Sequence, residues 1–261
     1  MCDALLYLIG LGLSRGDLPQ RALGIIKRCT TYVEEYTSFV EEGYLKEIEK
    51  DSGKDIGRLS RGDLEEGAGQ LVKEAEEHDV AVLVGGDPLM ATTHKILYIE
   101  AKRRGVQVEV LHAGSIIAAA MGESGLDFYR FGRVTTIPEW SERYKPVSFY
   151  ETIERNLANG MHSLVLLDYS ESKKSSMDLK AAFEELEAAE AHYRKGVIGD
   201  GTKIIVMMDV GHVGGRRTFC TFVEAKKMNF GIGPALVIFP TKITDVEKEV
   251  MDSLYENMNE K

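Results

Sequence analysis

The chain has 261 residues, and its 42 acidic against 32 basic side chains give a formal net charge of −10. Hydrophobic residues make up 44% and charged residues 28%, which excludes a disordered tail or a collagen-like chain. The acidic balance argues against a nucleic-acid partner, because phosphate binding draws on clustered Lys and Arg.

The length suits one large domain or two modest ones with a full core. No run approaches the ~18–20 apolar residues of a bilayer span, so no membrane partner is expected. Cys2, Cys29 and Cys220 are odd in number, scattered and without metal-ligand spacing. They predict a reduced, cytoplasmic setting and no metal.

In chain order, the apolar run 4–13 follows Asp3 and is interrupted by Gly10 and Gly12. It reads as a buried strand over 5–13 rather than a leader peptide. Apolar positions at helical spacing predict a helix over 19–28. A β-branched and aromatic run predicts a strand over 30–35, and Glu, Lys, Ala and Leu predict a helix over 64–78. Five apolar residues at 80–84 read as the next strand, ending in Gly85-Gly86. A helix over 91–104 carries Lys102, Arg103 and Arg104 in its last turn, which suits a helix C-terminus. Gly105 closes it ahead of a strand over 106–111. Alternating apolar strands and helices predict a parallel sheet covered on both faces.

Past about residue 115 the rhythm changes. Strands are predicted over 131–137, 162–168, 202–209, 216–224 and 235–239, with helices over 148–159, 178–194 and 245–257. Gly211-His212-Val213-Gly214-Gly215 reads as a hairpin loop, so this half holds a mixed sheet. The expected architecture is two α/β domains, 1–113 with the glycine loops and 114–261 with the mixed sheet.

Three strand ends carry the candidate chemistry. In Tyr7-Leu8-Ile9-Gly10-Leu11-Gly12-Leu13, glycines let the backbone approach a ligand, but Arg15 stands where a dinucleotide fingerprint needs its third glycine. The alternative is a tight turn after a central strand. In Val84-Gly85-Gly86-Asp87-Pro88, the carboxylate can cap the following helix or accept hydrogen bonds from a ligand amine or ribose. In Ala113-Gly114-Ser115-Ile116, the backbone N–H groups behind Ser115 suit a polar ligand group. Together the three suggest one crevice. His94 and His112 flank these loops without an assigned role, and His162 reads as a packed residue. No side chain is singled out as a general base.

At these residues the sequence resembles the diphthine synthase family, a branch of the tetrapyrrole-methylase-like superfamily of S-adenosylmethionine enzymes. The resemblance rests on the first loop, Glu35-Tyr36-Thr37-Ser38, Gly86-Asp87-Pro88-Leu89-Met90-Ala91-Thr92-Thr93-His94 and Ser115-Ile116. It continues through Ser124-Gly125-Leu126, Tyr129-Arg130-Phe131-Gly132 and Met161-His162-Ser163-Leu164-Val165-Leu166-Leu167-Asp168. It implies a homodimer of two α/β domains with S-adenosylmethionine in the interdomain cleft. The implied contacts to this donor are Leu13, Asp87, Met90, Ser115, Ile116, Leu167, Val210 and Ala235. The implied substrate is a histidine of translation elongation factor 2 bearing a 3-amino-3-carboxypropyl group. Its amine is methylated in successive rounds to diphthine, and the eukaryotic branch also methylates the carboxylate.

Two positions depart from the family pattern. Asp209 stands where an Arg is expected, and Ala235 where a His is common. Two alternatives stay open: a tetrapyrrole or precorrin methyltransferase of the same fold, and a non-catalytic donor-binding module.

Overall fold

The first apolar run becomes strand β1 (Leu5–Gly10), whose side chains are buried to either side of its sheet. The structure is a computed structural model that describes residues 4–38, 40–170 and 175–255. Cys2 and the end of the helix expected over 245–257 fall outside the described residues. The chain divides into two compact units, the first ending at Ile116 and the second beginning at Ile117.

In the first unit β1 is followed by α1 (Ala22–Ile26), β2 (Thr30–Glu34), α2 (Glu42–Ser52), β3 (Ile56–Leu59), α3 (Arg61–Glu65), α4 (Ala68–Glu74), β4 (Val80–Val84), α5 (Lys95–Arg104) and β5 (Gln107–Leu111). The five strands pair in the order β3-β2-β4-β1-β5, and every pairing is parallel. Period-two alternation sorts the side chains between two faces. Tyr7, Ile9, Ala81 and Leu83 pack with α1 and α2. Leu6, Leu8, Val80, Val82 and Val84 pack with α3, α4 and α5. The expected doubly covered parallel sheet is therefore present.

Three boundaries differ from the periodicity. The helix expected over 64–78 is two helices, because the chain breaks at Gly67, whose N–H donates to Gly62 O at 2.8 Å. The stretch 42–59, which carried no expected element, supplies α2 and β3. The helix expected from 91 begins only at Lys95. The preceding residues are held in an irregular turn that the site requires.

The second unit holds α6 (Ile116–Glu123), which starts at the last residue of the first unit, then β6 (Thr135–Ile137), α7 (Ser148–Ala158) and β7 (Ser163–Leu167). A short pair follows, β8 (Tyr169–Ser170) with β9 (Ser175–Ser176). The remainder is α8 (Leu179–Tyr193), β10 (Lys203–Met208), β11 (Arg216–Thr221), α9 (Phe222–Ala225), β12 (Ala235–Phe239) and α10 (Asp245–Leu254). Its main sheet runs β11-β10-β12-β7-β6, with one parallel pair, β6 with β7, and the rest antiparallel. That is the mixed sheet expected. The strand expected over 216–224 stops at Thr221, because Thr221 and Glu224 form a capping box that starts α9.

A buried clasp closes this unit. The His162 ring is fully buried, and its Nδ1 accepts the Thr241 N–H at 3.0 Å. Nε2 therefore carries the hydrogen, donated to Glu247 Oε1 at 2.8 Å. Glu247 also accepts the N–H groups of Asp127 at 3.0 Å and Thr244 at 2.8 Å, and it pairs with Arg130. Burial pushes the His162 imidazole below its ordinary value, against the pull of Glu247. Burial pushes the Glu247 carboxyl up, but the Thr244 and Asp127 N–H groups and His162 outweigh it and hold it at about 2.

Below the ordinary imidazole value of 6.5 the unfolded chain binds a proton on His162 that the folded chain refuses. Acidification from about pH 7 to about pH 5 therefore lowers stability through this residue. Urea melts of the H162Q variant should show a smaller loss over that interval than the unaltered chain. An equal loss would assign the proton uptake to another group.

Candidate functional site

Three strand ends of the first unit converge because Gly10 has no side chain. A β-carbon there would lie 2.6 Å from Gly86 O, 2.8 Å from Ala113 Cβ and 3.0 Å from Pro88 Cδ. One position thus touches all three loops. The first and second are also joined directly: Gly86 N–H donates to Gly12 O at 2.8 Å, and Gly12 N–H to Gly86 O at 3.2 Å. Gly86 adopts φ +72°, a conformation that suits glycine. The first and third loops meet where Leu13 packs beside Gly114. The three loops expected to share one crevice thus converge at the carboxyl edge of a parallel sheet, where α/β folds bind ligands.

Asp87 is buried in the second loop and makes two bonds. Its Oδ1 accepts the Leu89 N–H at 3.0 Å, and its Oδ2 faces His112 Nδ1 at 2.7 Å. Helix α5 starts eight residues later, so the carboxylate caps a turn and not that helix. His112 follows the last residue of β5, so a pair from two different loops forms where the strands end. Arg15 points outward to Glu41, its Nε donating at 2.9 Å, which leaves the first loop uncrowded.

Beneath the second loop lies a polar cluster that includes the fully buried His94 and Glu34. Pro88 O accepts both Thr92 Oγ1–H and His94 Nδ1–H, each at 3.0 Å. These two bonds fold 88–94 tightly enough to hold Ala91 at φ +57°, which a residue with a side chain adopts only under constraint. Tyr36 Oη and Thr93 Oγ1 are 2.8 Å apart, and Glu34 accepts the N–H groups of Tyr36 and Thr37 at 3.1 and 3.0 Å. Among the described residues the far ring nitrogen of His94 has no hydrogen-bond partner, and it lies 3.9 Å from Glu34 Oε1.

The eight expected donor contacts fall into two sets. Leu13, Asp87, Met90, Ser115 and Ile116 belong to the first unit and its converging loops, with Met90 exposed. Leu167, Val210 and Ala235 belong to the second. Ile137 pairs with Leu167, Leu166 with Leu236, and Met208 with Ala235, so these residues share one end of the second sheet. Val210 follows β10 at that end and is buried. Asp209 adopts φ +51°, and its carboxylate lies so close to Gly233 that a β-carbon there would be 2.7 Å from Oδ1.

Near the same strand end, burial pushes the Glu185 carboxyl up to about 7. Its Oε1 accepts the Trp140 N–H at 3.0 Å. Sequence reasoning missed both Glu185 and the Asp87–His112 pair. The position of His112 directly after an apolar strand was the available signal.

Among the described residues no group of three or more His, Cys, Asp or Glu is placed to hold a metal, and no helix is long and apolar enough to cross a membrane.

Residues 5–214 match the family described as Tetrapyrrole (Corrin/Porphyrin) Methylases. The fold and loops thus define a methylase, and the chain is an S-adenosylmethionine-dependent methyltransferase by family. The chain is 41% identical over 209 residues, 79% of each chain, to the diphthine synthase of Methanothermobacter thermautotrophicus. It is 34% identical to that of Methanocaldococcus jannaschii, over 97% of this chain and all of the relative. A crystal structure of diphthine synthase superposes with a TM-score of 0.86 at 28% identity, covering 97% of this chain and 96% of that one. The chain belongs to the diphthine synthase family.

The Gly10 contacts yield a test of the loop geometry. The G10A substitution forces a methyl group against a carbonyl oxygen that no rotamer can move, and should cost at least ~1–3 kcal/mol in a thermal or urea melt. A melt unchanged from that of the unaltered chain would mean that the loops are further apart.

Proposed function

We propose that the chain methylates the amino group of a 3-amino-3-carboxypropyl-histidine on translation elongation factor 2, in successive rounds, to the trimethylammonium of diphthine. Membership of the diphthine synthase family carries this reading, since the three loops alone suit any methyl donor of this class. S-adenosylmethionine supplies the methyl group. The residues fit it: Leu13 and Ile116 are half-buried apolar surfaces for a purine, and Asp87 is a buried carboxylate for a polar anchor.

In this reading Leu13, Asp87, Met90, Ser115 and Ile116 contact the donor, and Leu167, Val210 and Ala235 complete its contacts. Ala235 offers no hydrogen bond, so backbone and apolar contacts serve there. The chain works in the cytoplasm as a homodimer. Orientation supplies much of the rate, because the amine must meet the methyl carbon in line at ~3–3.5 Å.

Labelled donor incubated with purified elongation factor 2 carrying the unmethylated side chain should transfer label to the factor. Label on an added porphyrinogen instead would indicate tetrapyrrole methylation, and donor binding without transfer would indicate a binding module. Mass spectrometry of the product separates the trimethylated form from its methyl ester.

The D87A substitution should weaken donor binding by ~1–3 kcal/mol, read by calorimetric titration beside a thermal melt. A lowered melt with unchanged affinity would confine Asp87 to the turn it caps.

A further inference from the structure

We propose that His112 is the base that takes the proton from the substrate amine in each round of methylation. This rests on the reading of the chain as an amine methyltransferase. An alkylamine in neutral water is largely protonated, and the protonated nitrogen has no lone pair to attack a methyl carbon. Each round must therefore release one proton, and a positioned acceptor speeds that release.

Asp87 and His112 have the geometry of such an acceptor. A carboxylate can only accept, so the 2.7 Å contact fixes the hydrogen on Nδ1 and leaves the Nε2 lone pair free. The Asp87 side chain is 6% exposed and that of His112 67%, so a buried anion orients an imidazole that reaches solvent. Asp87 itself cannot swing, because its other oxygen holds the Leu89 N–H. This is the division of labour by which a buried Asp sets the tautomer of a catalytic His. Both residues sit on the converging loops, at the ligand end of the sheet.

His94, His162 and His78 lack this combination. His94 and His162 are fully buried, with Nδ1 bound to Pro88 O and to the Thr241 N–H. His78 pairs with Glu74 and Thr30. Thr30 begins β2, so that ring is at the opposite end of the sheet.

The ammonium N–H bond breaks, and its proton goes to Nε2 of His112. The freed lone pair forms the new N–C bond, and the C–S bond of the sulfonium breaks with its electron pair left on sulfur. The imidazolium then returns its proton to water before the next round.

Two variants test this against a role in bracing Asp87. In H112N the amide N–H can replace Nδ1–H on Asp87, but no proton acceptor remains. Donor affinity by calorimetry should stay within about twofold of the unaltered chain, while kcat for methyl transfer falls about 100-fold. In H112A, added imidazole should restore a concentration-dependent part of the rate.

A kcat for H112N within a few-fold of the unaltered chain would overturn the proposal and give the proton to water. So would a loss of donor affinity with no rescue by imidazole. Absence of transfer by the unaltered chain would instead remove the underlying reading, and this proposal with it.

Discussion

The first unit depends on how closely three backbones approach one another around Gly10. Parallel strands bring their carboxyl ends to one edge, and β4 and β5 flank β1 there. Any β-carbon at Gly10 would part the second loop from the third. Apolar burial of strands on both faces secures the sheet, since each fully buried Val, Leu or Ile side chain contributes ~1.5–3 kcal/mol. That stability is what holds an irregular edge in place. Edge and core are therefore one design, with packing below and polar backbone above.

The polar groups under the second loop extend the same logic. Pro88 O collects two donors, and Glu34 and Tyr36 reach across from the end of β2. Buried polar groups in a low dielectric rigidify what they connect when most of their bonds are made. Here they fix a segment that propensity alone would have made helical. Asp87 rides on that segment, and its two oxygens face different ways because Leu89 N–H and the His112 ring lie on different sides of it.

Much of this was legible in the sequence. Apolar runs and glycine ends located β1 and β4, because burial on both faces writes itself as an uninterrupted apolar string, while the edge strand β5 was legible in its alternating valines. The mixed second sheet was legible for a similar reason, with Gly211 and Gly214 marking its hairpin. Segment 42–59 was not, because α2 is strongly charged and β3 is four residues long. The start of α5 was misjudged because side-chain bonds to Pro88 O, invisible to periodicity, override the helical preference of Met90 and Ala91. The Asp87–His112 contact joins residues 25 apart in the chain, and no local pattern encodes it.

The Glu247 clasp bears on the order of assembly during translation. The strands of the first unit are all in hand once Leu111 has been synthesised. The second unit differs, since Glu247 bonds to residues 120 and 85 positions earlier. Contacts of such long range are slow to form, and this one also needs a late-made helix. His162 and Arg130 thus wait without their carboxylate while the ribosome completes α10. During that interval the second half is the vulnerable part of the nascent chain, and a chaperone has its opportunity there.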